Sequence, residues 1–258
     1  MRNIPILSLG EAEIASPLHL NQAQGDALPN FVKEGARVLN RIEIDAESSD
    51  EDVTFEKAGP RPKIYFTPAA TRVAIVTCGG LCPGLNNVIR SLVLELFHNY
   101  GVTDINGICY GYLGMGPEAL KCMKPLTPEL VDNIDRQGGS ILGSSRGNPP
   151  VGAMADFLAQ QKIDILFTIG GDGTQRGALE ISREVLRRGL KIAVVGIPKT
   201  VDNDVMYVDR TFGVNSAIDR ARDVLDAAHA EAKSYPNGIA LVKLMGRDSG
   251  FIAAGATL

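Results

Sequence analysis

Asp172 stands between glycines in the string Gly170-Gly171-Asp172-Gly173-Thr174, directly behind an apolar run at residues 163–169. Glycines let main-chain amides come close to a polyphosphate, and a single carboxylate can hold a hard cation such as Mg²⁺ through one or two contacts. A second apolar run, 192–197, opens into Pro198-Lys199-Thr200-Val201-Asp202-Asn203-Asp204. Alternation along an extended loop would turn Asp202 and Asp204 to one side. Two carboxylates beside a metal–phosphate centre can divide the labour, one taking a proton from an acceptor hydroxyl and the other positioning metal or water. Taken singly, each string also fits a plainer turn: a strand-end turn with a solvated aspartate, or a surface turn rich in Asp and Asn.

Two more loops could grip phosphate. Thr77-Cys78-Gly79-Gly80-Leu81-Cys82-Pro83-Gly84 lies between a short apolar strand at 73–76 and a helical pattern at 85–98. Unpaired amides and the helix dipole favour anions at such a junction. The spacing matches neither a Walker A motif nor GxGxxG, so a tight turn without ligand is the alternative. The glycine–serine stretch 138–147 ends in Arg146 and Gly147. A guanidinium fork there could bind phosphate oxygens, or Arg146 could be a lone surface arginine.

Each loop needs an element to hold it. Strands are predicted at 73–76, 105–110, 163–169, 192–197 and 239–244, and helices at 85–98, 153–161, 175–188 and 214–233. In the first helix Val88, Ile89, Leu92, Val93 and Leu96 share one face. Thr127-Pro128-Glu129 is a helix start, with a capping hydroxyl, proline in the first turn and a negative charge near the positive dipole end. Strands alternating with helices predict an α/β fold, a parallel sheet between two helical layers. Ligands of such sheets bind beyond the carboxyl ends of the strands. Asp172 and Asp202 are therefore expected on one edge, facing a shared cleft.

Bulk composition narrows the classes. The chain has 258 residues, 28 glycines, no tryptophan, 45% hydrophobic residues and a net charge of −4. That is enough for a sizeable core in one or two domains. The charge offers no field for nucleic acid or an anionic membrane, so any phosphate grip is local. No apolar run approaches the ~20 residues that cross a bilayer. The opening residues mix charge early, so no secretory leader is expected. Of Cys78, Cys82, Cys109 and Cys122 only the first two are close in sequence, which fits reduced thiols of a cytoplasmic enzyme better than a zinc site. His19, His98 and His229 lie away from every glycine loop and read as structural or solvent-facing. Residues 1–70 lack sustained periodicity, and the acidic run 43–56 reads as a solvated linker or as an arm on a neighbouring subunit.

TCGGLCPGLNNVIR, LGSSRGN, IGGDGT, GIPKTVDND and LVKLMGRDSGF occur together and in order, and over residues 60–258 the chain resembles the phosphofructokinase family. The resemblance is greatest to the longer ATP-dependent type of plants, protists and some bacteria. It implies a Rossmann-like fold and transfer of the γ-phosphoryl of Mg·ATP to the 1-hydroxyl of fructose 6-phosphate. It also implies a glycolytic, cytoplasmic homo-oligomer, dimer or tetramer, with no nucleic-acid or membrane partner. By the same resemblance Gly80, Arg146, Gly147, Gly171, Asp172, Gly173, Thr174 and Lys199 match ATP-binding positions, with Asp172 the Mg²⁺ ligand. Asp202 matches the catalytic base and Thr200 and Asp204 its companions, while Val201, Met245, Gly246 and Arg247 belong with the sugar-phosphate loops and Arg247 with phosphate stabilisation. Residues 1–70 then form an extension, 71–213 the ATP and Mg²⁺ domain, and 214–258 the start of an incomplete sugar-phosphate domain.

The resemblance also informs donor choice and departures. Pyrophosphate-using relatives usually carry aspartate where this chain has Gly173, which points to ATP, whereas Lys199 is shared with them. Arg90 matches one of two effector arginines of the short bacterial enzymes, but Leu94 replaces the other, and Gly238 stands where those enzymes lend an arginine across an interface. The chain stops soon after MGRDSGF, so a fragment or shortened product, inactive by itself, is expected. A pyrophosphate-dependent enzyme and a non-catalytic nucleotide-binding or assembly module are the alternatives.

Overall fold

The computed structural model describes residues 2–21, 30–40, 53–116 and 122–258. The chain divides into two compact units, Met1–Thr71 with Glu95–Thr103, and Arg72–Leu94 with Asp104–Leu258. The first unit contains β1 (Arg2–Asn3), β2 (Ile14–Ala15), β3 (Arg37–Leu39), β4 (Val53–Glu56) and β5 (Lys63–Ile64). β4 is central in a sheet ordered β1-β4-β3, and β2 pairs with β5. Arg37 ties that sheet by donating to the Oγ1 and the carbonyl of Thr54, both at 2.8 Å. Of the acidic run read as linker or arm, residues 43–52 lie outside the described residues and Val53–Glu56 is strand β4.

The second unit holds a sheet of β6 (Arg72–Thr77), β7 (Asp104–Ile108), β8 (Met123–Pro125), β9 (Ile165–Gly170) and β10 (Ala193–Pro198), ordered β10-β9-β6-β7-β8. The first four in that order run parallel, and β8 closes one edge antiparallel. Its helices are α1 (Leu85–Leu94), α2 (Pro128–Val131), α3 (Val151–Gln160), α4 (Asp172–Arg187), α5 (Val214–Lys233) and α6 (Phe251–Thr257). Val73, Ala74, Ile75 and Val76 are all fully buried, as a strand covered on both faces must be. Ala74 and Val76 share a core with Met154, Leu158, Ile181 and Val185 from α3 and α4. Alternation sends Val73 and Ile75 to the other face. The chain leaves β6 toward β7 through α1 but reaches β9 on the opposite flank of β6 through α3. Right-handed crossovers in opposite directions put those helices on opposite faces. The reversal between β6 and β9 is a topological switch point, where α/β sheets open a crevice at the strands' carboxyl ends.

The expected α/β sheet with helices on both faces is present, with local corrections. The helix predicted over 85–98 is α-helical to Leu94 and continues over Glu95–Asn99 as a wider π turn. The strand predicted to 110 stops at Ile108, because Tyr110 takes a left-handed φ of +59°. The helix predicted from 175 begins at Asp172. No strand forms over 239–244, where Ile239 and Leu241 are 93% and 97% exposed. A short apolar run specifies a strand only when a neighbour completes the ladder, and among the described residues none lies beside it.

Candidate active site

In register, Thr77 of β6 lies opposite Ile169 of β9, and Pro198 of β10 lies opposite Gly170. The loops after these three strands therefore emerge side by side, with about 4.8 Å between neighbouring strands. Main-chain bonds weld them. Cys78 N–H donates to Ile169 O, Gly79 N–H to Ser145 O and Lys199 N–H to Gly170 O, each at 2.9 Å. Ser144 Oγ adds a bond to Gly79 O at 2.5 Å.

Lys199 sits at the centre of this weld. Its side chain is buried and donates from Nζ to the Gly80 carbonyl. A Cβ on Gly79 would stand 3.5 Å from that Nζ, and one on Gly80 would stand 3.9 Å from Arg146 Nη2. The glycine loop, Arg146 and Lys199 are thus gathered into one basic, amide-rich corner. Burial lowers the proton affinity of Lys199, Arg146 adds to that, and Cys82, Cys78 and Asp202 oppose it.

The carboxylates of the next loop follow. Asp202 is only 9% exposed. Burial raises its proton affinity, the charge of Asp204 raises it further, and Arg247 and Lys199 pull it back. Alternation along an extended strand is not what gathers the pair, contrary to the sequence expectation. Asn203 takes a left-handed φ of +55°, so the chain turns between them. Thr200 Oγ1 organises that turn by accepting from Asp202 N–H at 3.0 Å and donating to Asp204 Oδ1 at 2.8 Å. Arg247, itself at φ +51°, brings Nη1 to 3.5 Å from Asp204 Oδ2. Ser249 Oγ shares its hydrogen between Asp202 O at 2.6 Å and Gly246 O at 2.8 Å, binding the Met245-Gly246-Arg247 loop to the Asp202 loop.

Asp172 is placed differently. It is the first residue of α4, its side chain is 64% exposed, and its nearest charge is Arg176 at 3.5 Å. Gly171 is the N-cap, and Gly173 and Thr174 lie in the first helical turn. The string read as a free turn is therefore the positive end of a helix, which strengthens its affinity for anions. An exposed carboxylate at that end suits a hard cation shared with phosphate oxygens. Among the described residues no three His, Cys, Asp or Glu side chains gather into a cage able to hold a metal alone. Gly147 has φ +89° with open space around it, and Val201 is buried beneath the loop.

Several positioning groups carried no sequence signal. Gln175 Nε2 donates to Gly170 O at 2.9 Å and to Ile197 O at 3.1 Å, holding the ends of β9 and β10 together. The buried Tyr112 hydroxyl donates to Thr174 O at 2.8 Å. Thr211 Oγ1 donates to Thr200 O at 2.6 Å. Glutamine, tyrosine and threonine acting on distant carbonyls leave no spacing to read.

The profile of the family described as Phosphofructokinase matches residues 72–258. An ATP-dependent 6-phosphofructokinase of Borreliella burgdorferi is 49% identical over 253 residues, covering 97% of this chain and 56% of that protein. One of Entamoeba histolytica is 56% identical over 203 residues, covering 79% and 46%. A solved phosphofructokinase of Saccharomyces cerevisiae superposes with a TM-score of 0.59 at 27% identity, covering 72% of this chain and 27% of that one. The chain spans about half the length of the curated relatives it matches.

Proposed function

The chain belongs to the phosphofructokinase family, and from that premise we propose that it carries the donor site and catalytic base of an ATP-dependent 6-phosphofructokinase. The observation that carries this reading is Asp202, a buried carboxylate of raised proton affinity beside a basic, amide-rich corner. ATP phosphates would lie along the Gly79–Gly80 turn and the first turn of α4, from Gly171 through Gly173 and Thr174. Arg146 and the glycine turn it shares with Gly147 face the transferring group, and Lys199 holds the Gly80 carbonyl so that the loop keeps its shape. Asp172 would hold Mg²⁺, which when bound neutralises charge on the phosphate oxygens.

Fructose 6-phosphate would present its 1-hydroxyl to Asp202. As the hydroxyl oxygen attacks the γ-phosphorus, Asp202 takes its proton, the bond to the β-bridging oxygen breaks and ADP leaves. Thr200 and Asp204 keep the base in place, and Met245, Gly246 and Arg247 meet the sugar phosphate. Most of this work is positioning and charge stabilisation, as phosphoryl transfer demands. Among the described residues no helix is long and apolar enough to cross a membrane; a cytoplasmic, glycolytic setting belongs to the same reading. The partners of the reading are fructose 6-phosphate and further copies of the same subunit.

Calorimetric titration with Mg·ATP, followed by a coupled assay with fructose 6-phosphate, tests the reading. In a full-length context binding with turnover is the expected result. Binding without turnover leaves a nucleotide-binding module, and faster turnover with pyrophosphate than with ATP transfers the site to the other donor.

The carboxylate pair gives a pH test. Asp202 must be ionised to accept a proton, and the charge of Asp204 raises its proton affinity. Asp204→Asn should therefore move the acid limb of kcat/KM to lower pH, whatever it does to the plateau. Arg247→Gln removes a charge that lowers that affinity and should move the limb up. Limbs that stay fixed in both variants would separate the titrating base from this cluster.

A further inference from the structure

Cys109 and Cys122 take no part in the chemistry above, and both are free thiols. Ile108 pairs with Met123 at the end of the β7–β8 ladder. The Cys109 N–H donates to Cys122 O at 2.9 Å, which makes these residues the next cross-strand pair. Hydrogen-bonded antiparallel partners have Cα atoms about 5.5 Å apart, inside the span of about 4.4–6.8 Å that a disulfide bridges. The two sulfurs already lie 2.7 Å apart. That is about 0.7 Å beyond a covalent bond of about 2.05 Å.

We propose that Cys109 and Cys122 form a reversible dithiol–disulfide site that reacts with low-molecular-weight disulfides such as oxidised glutathione. Cys122 is the partly exposed member and Cys109 the buried one. The Cys122 thiolate attacks one sulfur of the small disulfide and releases a thiolate. Cys109, deprotonated, then attacks the Cys122 sulfur of the mixed disulfide and expels the second thiolate. The protein loses two electrons and two protons, and the small disulfide becomes two thiols. Burial, followed by the adjacent Cys122 sulfur, pushes the Cys109 thiol up to about 11, against the pull of Lys124. The closing step is accordingly the slower one and quickens as pH rises.

The bond would anchor the start of the loop that runs on from Tyr110. Within that loop Tyr110 N–H donates to Leu142 O at 2.8 Å, and a Cβ on Gly143 would stand 3.0 Å from the Tyr110 ring. Tyr112 holds the Thr174 carbonyl. The loop thus backs both the 143–147 segment and the first turn of α4, and oxidation would stiffen both from behind. Cys78 and Cys82 are poor competitors, since both are buried and the Cys82 thiol donates to the carbonyls of Pro83 and Phe212 rather than to another sulfur.

The test needs no turnover, so it stands apart from the kinase reading. The 258-residue chain is equilibrated at graded ratios of reduced to oxidised glutathione, alkylated, weighed intact and digested. Four alkyl groups are expected on the reduced chain, matching its four cysteines. Oxidation should leave two alkylated thiols and a Cys109–Cys122 linked peptide, and dithiothreitol should restore all four. Cys109→Ser and Cys122→Ser should each abolish the link, with a glutathione adduct left on Cys122 in Cys109→Ser, while the double variant Cys78→Ser/Cys82→Ser should keep it. Full alkylation at every ratio overturns the proposal, as does a link that joins two chains or includes Cys78 or Cys82.

Discussion

In a full-length context Asp202→Ser is expected to lower kcat by about 10²–10⁴-fold, the range that a positioned general base contributes, while Mg·ATP binds with near wild-type affinity. The split follows from where the carboxylate sits. Asp202 is held from below by Thr200 and Ser249 and faces Asp204, whereas the amides that would carry ATP belong to the Gly79–Gly80 turn and α4. Removing the carboxylate takes away the proton acceptor and leaves the donor corner intact. Stability should move the other way. The folded protein binds a proton at Asp202 more tightly than an unfolded chain does, so its ionised form is the disfavoured one. The destabilisation is therefore absent well below the ordinary aspartate value of about 3.9 and grows as pH rises through the folded value. At neutral pH Asp202→Asn should melt at least as high as the parent, and the difference should vanish in acid. A variant that retains turnover removes Asp202 from the chemistry, and one that melts lower at neutral pH removes the burial argument.

The sheet was legible because its strands are short apolar runs punctuated by glycine, and periodicity with punctuation is a local property. Val214–Lys233 is a helix between the predicted ends for the same reason. The failures share a cause that lies outside the local string. Residues 239–244 have the apolar run of a buried strand, but hydrogen-bond partners decide whether a strand exists, and none is adjacent among the described residues. The turn at Asn203 is held by side-chain bonds from Thr200 and to Thr211, and the start of α4 by the bond from Gln175 to Ile197 of the neighbouring strand, contacts that hydropathy periodicity does not register. Residue types at the candidate site could be read in advance because carboxylates, arginine and glycine are chemically distinctive. Their supports could not, since Tyr112, Gln175 and Ser249 act through one or two hydrogen bonds to main-chain carbonyls, which many polar side chains can make.

Gly173→Asp is expected to weaken Mg·ATP binding by about tenfold or more while leaving pyrophosphate affinity near that of the parent. A Cβ at Gly173 meets nothing within 4 Å, so the substitution needs no repacking. The position lies in the first turn of α4, where a carboxylate favours the helix by about 0.3–1 kcal/mol. The variant should therefore fold as well as the parent or better, which separates its effect from loss of structure. Two like unit charges about 6 Å apart repel by about 3 kcal/mol at an effective dielectric of about 20, equivalent to about a hundredfold in affinity. Solvent and counterions at an exposed helix end reduce that, which leaves about tenfold as the floor. Pyrophosphate carries no nucleoside-linked α-phosphate to meet the new carboxylate. Gly173→Ala supplies the Cβ without the charge and should keep ATP binding, so the pair of variants distinguishes repulsion from crowding. Equal losses in both would make the open space at Gly173 a steric requirement, and undiminished ATP binding in Gly173→Asp would take the α-phosphate away from α4 altogether.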